Sequence, residues 1–240
     1  MQYMGGKYRI AKHLAPIIIE GAGDRDRYVE PFLGAGSVFT EVAPAFTHAL
    51  GLDVMPDLVY LWSAVQHGWA PPLELSEEEY ARLRDAEPSA LRGFAGFPCS
   101  FGGKFFGGYA RDPRNGGRNF ADTGSRSIRA KLALVPHACF AVGDYLAAPV
   151  DSRTVVYADP PYAGTTPYAG APPWDADRFW LEARRWVEAG AAVYVSEYEA
   201  PEDWTAVWEG TPQGSLSLTG KTGRRVRERL YTYAANTLRP

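Results

Sequence analysis

Two cysteines, Cys99 and Cys139, are all that the 240 residues contain. That is too few for a disulfide framework or a cysteine-rich zinc site. The four histidines, His13, His48, His67 and His137, are scattered and show no HExxH spacing, so no metal is expected. Nothing approaches the roughly 18–20 consecutive apolar residues of a membrane helix, and no membrane partner is expected. The opening MQYMGGKYRI has no apolar h-region followed by small residues, so secretion is not expected and a reducing, cytoplasmic setting is. A phosphate-cradling loop with Lys and Ser/Thr at the required spacing is missing as well. So is an excess of basic charge, since the net charge is -3.

What is present supports a substantial core. Hydrophobic residues make up 46% of the chain, and its length suits one α/β domain carrying an insertion, or two small domains. The charge is also segregated. From Gly102 to Lys131 seven basic residues (Lys104, Arg111, Arg114, Arg118, Arg126, Arg129, Lys131) face two acids, Asp112 and Asp122. From Lys221 to Arg229 there are five against one, while acids gather in LELSEEEYARLRDAE. Basic segments interleaved with aromatics can follow a phosphate backbone although the whole chain is acidic; they can equally form a solvated face.

Periodicity predicts a helix over KYRIAKHLAPIIIEGAG, with Ile10, Leu14, Ile17 and Ile18 on one face. RYVEPFLGAG reads as a strand breaking into a glycine turn, and SVFTEVAPAF as a helix. THALGLDV reads as a strand ending at Asp53, and PDLVYLWSAVQHG as a helix. From about Trp69 to Lys131 the pattern degrades into proline pairs, an acidic helix and a stretch thick with Gly, aromatics and Arg. Alternation then resumes: strands ending at Asp144 and Asp159, the amphipathic helix ADRFWLEARRWVEAG, the strand AAVYVSEY, and closing strands WTAVWEG and RERLYTYAA. This order predicts a mostly parallel, doubly wound α/β sheet interrupted by an insertion. Ligands bind such sheets beyond the carboxyl ends of the strands, where Gly34-Ala35-Gly36, Asp53, Asp144 and Asp159 all fall.

Three motifs carry chemistry. In EPFLGAGSVF, Gly34 and Gly36 let backbone approach a ligand, and Phe39 replaces the third glycine of a dinucleotide fingerprint. Asp53, about twenty residues on, suits the hydroxyls of a ribose or the cap of the next helix. In MQYMGGK a Gly-Gly turn precedes Lys7, which can pair with a carboxylate or ride on an N-terminal tail. ADPPY is the most specific. At average residue frequencies DPPY arises by chance in about one such chain in a thousand. Proline has no N–H, so Pro160-Pro161 ends the strand. The rigid turn then presents a carboxylate (Asp159), a carbonyl and an aromatic face (Tyr162), which suits a planar base with an exocyclic amine.

Together YMGGK, VEPFLGAGSVF, Asp53, GDY at 143–145, ADPPY, VYVSEY and KTGRRVRERLYTY resemble the Dam-type family of S-adenosylmethionine-dependent DNA adenine-N6 methyltransferases, in the motif order of its alpha group. The resemblance implies a three-layer Rossmann-like methyltransferase fold. Its catalytic domain would span 1–65 and 132–240, with an inserted, mainly helical and loop target-recognition region at 66–131. It implies that Tyr3, Lys7, Phe32, Gly34, Gly36, Asp53 and Asp144, with Asp159, line the site for S-adenosyl-L-methionine. Asp159, Pro160, Pro161 and Tyr162 would hold a flipped adenine for direct in-line transfer. Double-stranded DNA is the implied partner and a monomer the favoured state. Lys104, Tyr109, Arg111, Arg114, Arg118, Arg126, Arg224 and Arg225 are the candidate DNA contacts, with Phe105 and Phe106 beside them. The role can be restriction–modification, host mimicry or phage protection.

Four rival readings stand beside this one. Pro98-Cys99 resembles the nucleophile dipeptide of cytosine-C5 methyltransferases, but it precedes the third strand, and DPPY occupies the place of that cysteine. Cytosine-N4 enzymes share the chemistry and usually carry Ser where Asp159 stands. A nicotinamide oxidoreductase fits the sheet but not the incomplete glycine pattern. An inactive DNA-binding relative is at odds with intact Lys7, Asp53 and Asp159.

Overall fold

The computed structural model describes residues 1–112, 117–161, 174–210 and 227–234. A seven-stranded sheet forms its centre, in the order β3-β2-β1-β4-β5-β7-β6. Its strands are β1 (Arg27–Glu30), β2 (His48–Asp53), β3 (Cys139–Val142), β4 (Thr154–Ala158), β5 (Ala192–Glu197), β6 (Trp204–Gly210) and β7 (Glu228–Tyr233). The first five are parallel, and β7 runs antiparallel between β5 and β6. The mostly parallel α/β sheet expected from the alternation is therefore present. The strand order reverses direction between β1 and β4, which pair in parallel with Val29 opposite Val156. The chain leaving Glu30 and the chain leaving Ala158 thus emerge side by side, and a crevice opens there.

Strands β4 and β5 are buried on both faces. Val155 and Tyr157 of β4 point into one apolar cluster, Val156 and Ala158 into the other, and Ala192 to Val195 of β5 divide the same way. This is the two-residue alternation of a strand, and it explains why β4 and β5 read as unbroken apolar runs. One face is covered by α1 (Ala11–Glu20), α2 (Phe39–Val42), α3 (Pro56–Gln66) and the insert helices, the other by α7 (Ala176–Glu188).

Several boundaries differ from expectation. The helix read from Lys7 starts at Ala11, and Lys7 to Ile10 form a turn closed by the Ile10 and Ala11 N–H groups on the Lys7 carbonyl. The helix read over 37–46 is only four residues of α2 followed by a 3-10 turn, Ala43–Ala45, because Pro44 cannot donate. The strand expected to reach Asp144 ends at Val142, and Asp144 instead caps a 3-10 turn by accepting the Leu146 N–H.

The segment whose pattern degraded holds three helices, α4 (Glu77–Arg84), α5 (Ala90–Gly96) and α6 (Phe120–Leu132). Helix α4 begins at a reciprocal capping box between Ser76 and Glu79. Helix α5, ALRGFAG, carries glycines that lower its helix propensity, and packing overrides the propensity. A Cβ at Gly93 would lie 2.2 Å from the Asp57 carbonyl, so glycine lets α5 approach α3 closely. The buried Asp57 pairs with Arg92 at 2.5 Å and accepts the Ser89 N–H at 2.9 Å. Arg92 also donates to the Leu83 and Arg84 carbonyls, locking α3, α4 and α5 together. Tyr80, Phe94, Phe97 and Ile128 share one apolar cluster with Leu14, Leu58 and Trp62, so α4, α5 and α6 pack with α1 and α3 in a common core.

Candidate active site

At the carboxyl end of β1 the chain turns through Gly34 and Gly36, both left-handed (φ +49° and +57°). The Gly34 N–H and the carbonyls of Gly34, Ala35 and Gly36 are each held by a side chain. Gly34 N–H donates to Asp53 Oδ2 at 3.0 Å, and Trp62 Nε1 donates to the Gly34 carbonyl at 3.2 Å. Thr40 Oγ1 donates to the Gly36 carbonyl at 2.8 Å, and Lys131 Nζ to the Ala35 carbonyl at 2.6 Å. A Cβ at Gly36 would lie 2.8 Å from the Trp62 ring, and one at Gly34 would lie 3.1 Å from the Tyr3 ring. Only glycine satisfies both the φ and the space.

Tyr3 sits between this turn and the insert. Its ring stacks on Phe97 at 5.2 Å, and the neighbouring Met4 N–H donates to the Gly103 carbonyl at 3.1 Å. Four residues on, buried Lys7 places its ammonium 2.7 Å from Asp159 Oδ1 and 3.2 Å from Glu228 Oε1. Burial alone would lower the Lys7 pKa; Asp159 and then Glu228 outweigh burial and hold it above the ordinary lysine range. Residues 3–7 therefore strap the glycine turn to the start of the di-proline bend. Asp159 directly follows β4 and stays partly accessible, whereas Pro160 is buried and Pro161 half-buried. Tyr162, and the second tyrosine Tyr168, lie outside the described residues.

The other candidate residues divide by what occupies them. Asp53 is buried, with Oδ1 accepting the Met55 N–H at 3.0 Å and Oδ2 the Gly34 N–H. Burial raises its pKa and the backbone donors oppose the rise. It clamps the glycine turn and keeps acceptor capacity on both oxygens. Asp144 lies beyond β3, next to Asp53, and the Gly143 N–H donates to the Asp53 carbonyl at 3.0 Å. Phe32 is half-buried and stacks on Tyr145 at 5.5 Å, with Trp174 and Phe179 edge-on. A turn whose Gly34 and Gly36 carry no Cβ, acids at or just beyond two neighbouring strand ends and aromatic faces at Tyr3 and Phe32 fit the adenosyl group of S-adenosylmethionine.

Three residues at the crevice escaped the sequence reading. Glu30 ends β1, is buried, and accepts the Tyr28 hydroxyl at 2.9 Å. Burial raises its pKa well above the ordinary range; Tyr28 opposes this, Asp159 adds to it, and Lys131 and Lys7 oppose it. The rule that flagged Asp53 and Asp159, an acid at a strand's carboxyl end, applies to Glu30 as well. Glu228 faces the crevice only because β7 is antiparallel and begins there, which its basic neighbourhood disguised. In the sequence Lys131 reads only as part of the basic segment, yet it turns inward.

On the insert, Tyr109, Arg111 and Arg118 line one open groove of about 460 Å³, together with Glu74, Asp112 and Asn119. Arg111 is exposed, forms an ion pair with Glu77 and lies over the Tyr109 ring at 5.8 Å. The Tyr109 hydroxyl donates to the Leu75 carbonyl at 2.6 Å. Arg118 is exposed over the Phe120 ring at 5.2 Å. Arg126 is exposed and pairs with Asp122 at 2.7 Å along α6. Lys104 is exposed, while Phe105 and Phe106 turn inward against Phe97 and Arg92. Arg114, Arg224 and Arg225 lie outside the described residues. Cys99 is buried, and burial pushes its thiol up to about 12, the opposite of what a nucleophile needs. Among the described residues no cluster of His, Cys, Asp and Glu is arranged to hold a metal, and no helix is long and apolar enough to cross a membrane.

Residues 3–87 match the model of the D12 class N6 adenine-specific DNA methyltransferases. The chain is also 26% identical over 187 residues to the DNA adenine methylase of two Vibrio cholerae O1 strains. That alignment takes in 68% of this chain and spans 64% of the length of these curated relatives. Among solved structures, the rRNA methyltransferase aviRa of Streptomyces viridochromogenes superposes with a TM-score of 0.45 at 16% identity, over 98% of this chain and 88% of its own. A putative RNA methyltransferase of Pyrococcus horikoshii, PH1948, gives 0.44 at 12% identity, over 97% and 92%. Likeness at that level says nothing of what this chain acts on.

Proposed function

We propose that this chain is a site-specific DNA adenine-N6 methyltransferase acting on an adenine flipped from the duplex. The observation that carries the reading is the ion pair between Lys7 and Asp159, which joins the glycine turn to the di-proline bend at one crevice. When bound there, S-adenosylmethionine supplies an electrophilic sulfonium methyl. Tyr3, Phe32, Gly34, Gly36, Asp53 and Asp144 would hold its adenosyl group.

The chain's own residues then have a definite task. The amine of adenine is a weak nucleophile because its lone pair is delocalised into the ring. The Asp159 carboxylate and the Pro160 carbonyl would accept the two amine hydrogens and draw N6 toward tetrahedral geometry, which exposes the lone pair. Lys7 fixes Asp159 through Oδ1. A preorganised carboxylate beside a nitrogen that gains positive charge contributes on the order of a few kcal/mol. Pro160 and Pro161 keep the bend from rejoining the sheet, and Tyr162 would stack on the extruded base. The groove beside Tyr109, Arg111 and Arg118, with Lys104 nearby, would meet the duplex, and Arg114, Arg224 and Arg225 would add phosphate contacts.

The test is to incubate the protein with duplex DNA and labelled S-adenosylmethionine and analyse the nucleosides. N6-methyladenine is expected, clustered in one sequence context when mapped. N4-methylcytosine, or label entering only RNA, would overturn the reading. In thermal shift, stabilisation by NAD in place of S-adenosylmethionine would favour the oxidoreductase.

A further inference from the structure

The insert helix α6 sends one lysine into the crevice. Its buried stripe runs through Ala121, Gly124, Ser125, Ile128 and Leu132, and Lys131 lies beside that stripe, three residues after Ile128. Its neighbours Arg129 and Ala130 are exposed. Lys131 Nζ donates to the Ala35 carbonyl at 2.6 Å and to Ser37 Oγ at 3.2 Å. Both acceptors belong to the turn that follows β1. The other two carbonyls of this turn, at Gly34 and Gly36, are held by Trp62 and Thr40 from α3 and α2. Lys131 is the one that reaches the turn from the far side of the insert.

A lysine in this place needs a reason. Surface lysines lose little by staying in water, and desolvating an ammonium is costly. Here burial lowers the Lys131 pKa to about 8, with Glu30 and then Glu41 opposing the fall. At neutral pH it is still mostly protonated. An ammonium aimed at a carbonyl makes a short, charge-assisted bond, stronger than one between neutral groups.

We propose that Lys131 is a positioning residue for the cofactor: from the recognition insert, it fixes the glycine turn in the shape that S-adenosylmethionine meets. The assignment rests on the cofactor reading given above. It gives the insert a second role, since any displacement of α6 along its axis pulls on the Ala35 carbonyl. The sheet domain and insert then share one hydrogen-bonded part, and the turn does not hold its shape without α6.

Lys131→Met, which keeps the stem and removes the donors, separates positioning from general support. Hydrogen exchange in the ligand-free protein should speed up at the Gly34, Gly36 and Thr40 amides and stay unchanged in α7 and β5. Calorimetric titration with S-adenosylmethionine should show binding weakened roughly tenfold, the size expected for losing a charge-assisted bond. The KM for DNA should hold. Lys131→Arg, which keeps a charged donor, should recover part of the affinity, and Ser37→Ala should reproduce the loss at smaller size if Lys131→Met does not fold. Exchange at the turn unchanged in Lys131→Met, or accelerated equally throughout the chain, would overturn the role. If the wild type binds no S-adenosylmethionine, the cofactor reading has failed, and the exchange comparison still decides whether Lys131 holds the turn.

Discussion

The crevice and the outer face of the insert use the same residue types in opposite ways. In the crevice Lys7 is buried and Lys131 half-buried, and each turns to a group that the chain leaves at a strand end: a carboxylate for Lys7, a turn carbonyl for Lys131. On the insert, Arg111 and Arg126 stand in water, each matched by an acid of its own surface, Glu77 and Asp122. Lys131 and Arg126 even share helix α6. The difference is one of cost. An exposed ion pair is worth about 0–1 kcal/mol and can be exchanged for a partner's phosphate, whereas a buried charge needs its partner in place. Inward-facing cations therefore mark the site that must keep its shape, and exposed pairs mark a face that is able to change partners.

The strongest way to break this comparison is Asp159→Ala. Methylation should fall by about a hundredfold to a thousandfold while DNA still binds in a gel-shift assay. A variant that methylates at a normal rate would make the Lys7–Asp159 pair structural only. Next comes Arg92→Ala, which leaves Asp57 buried without its cation. Unfolding in urea should show about 3 kcal/mol lost, and loss below 1 kcal/mol would mean that the insert is not locked to α3 by this pair.

A smaller effect concerns Glu30, whose native pKa is raised by burial. A raised pKa means that the native state holds the proton more tightly than the unfolded chain. The associated stability is complete below the ordinary value of 4.5 and is lost as pH rises through the native value. Lys131, lowered to about 8, is protonated in both states from pH 5 to 7 and adds little slope. Wild type should therefore lose stability relative to Glu30→Gln over that window, followed by thermal unfolding. A flat difference would mean that Glu30 is ionised in the folded protein. The smallest effect sharpens the other side. Arg126→Ala should change stability by no more than about 0.5 kcal/mol in the same measurement. A loss above 1 kcal/mol would place Arg126 with the inward-facing cations.

Much of the fold was legible in the sequence, and for identifiable reasons. Runs such as VVYA and AAVYV are apolar on both alternations because β4 and β5 are covered on both faces, so their parallel setting could be read directly. Pro160-Pro161 and the Gly34–Gly36 turn marked strand ends because proline lacks a donor and left-handed backbone favours glycine. The insert resisted for equally physical reasons. Helix α5 is held by Gly93 approaching Asp57 and by the Arg92–Asp57 pair, whose partners lie 35 positions apart, and no local pattern encodes such contacts. Phe105 and Phe106 read as candidate DNA contacts because their packing against Phe97 and Arg92 is set by the fold and not by neighbouring residues.

By itself the sequence determined where strands stop, which backbone positions must be glycine and which acids stand at strand ends, since those are set by steric limits within a few residues. The tertiary structure alone decided which charges face each other. Glu228 enters the crevice because β7 runs against its neighbours, and Lys131 enters it because α6 packs through Ile128. The field around a charge is built by groups distant in the chain, and only packing brings them within reach.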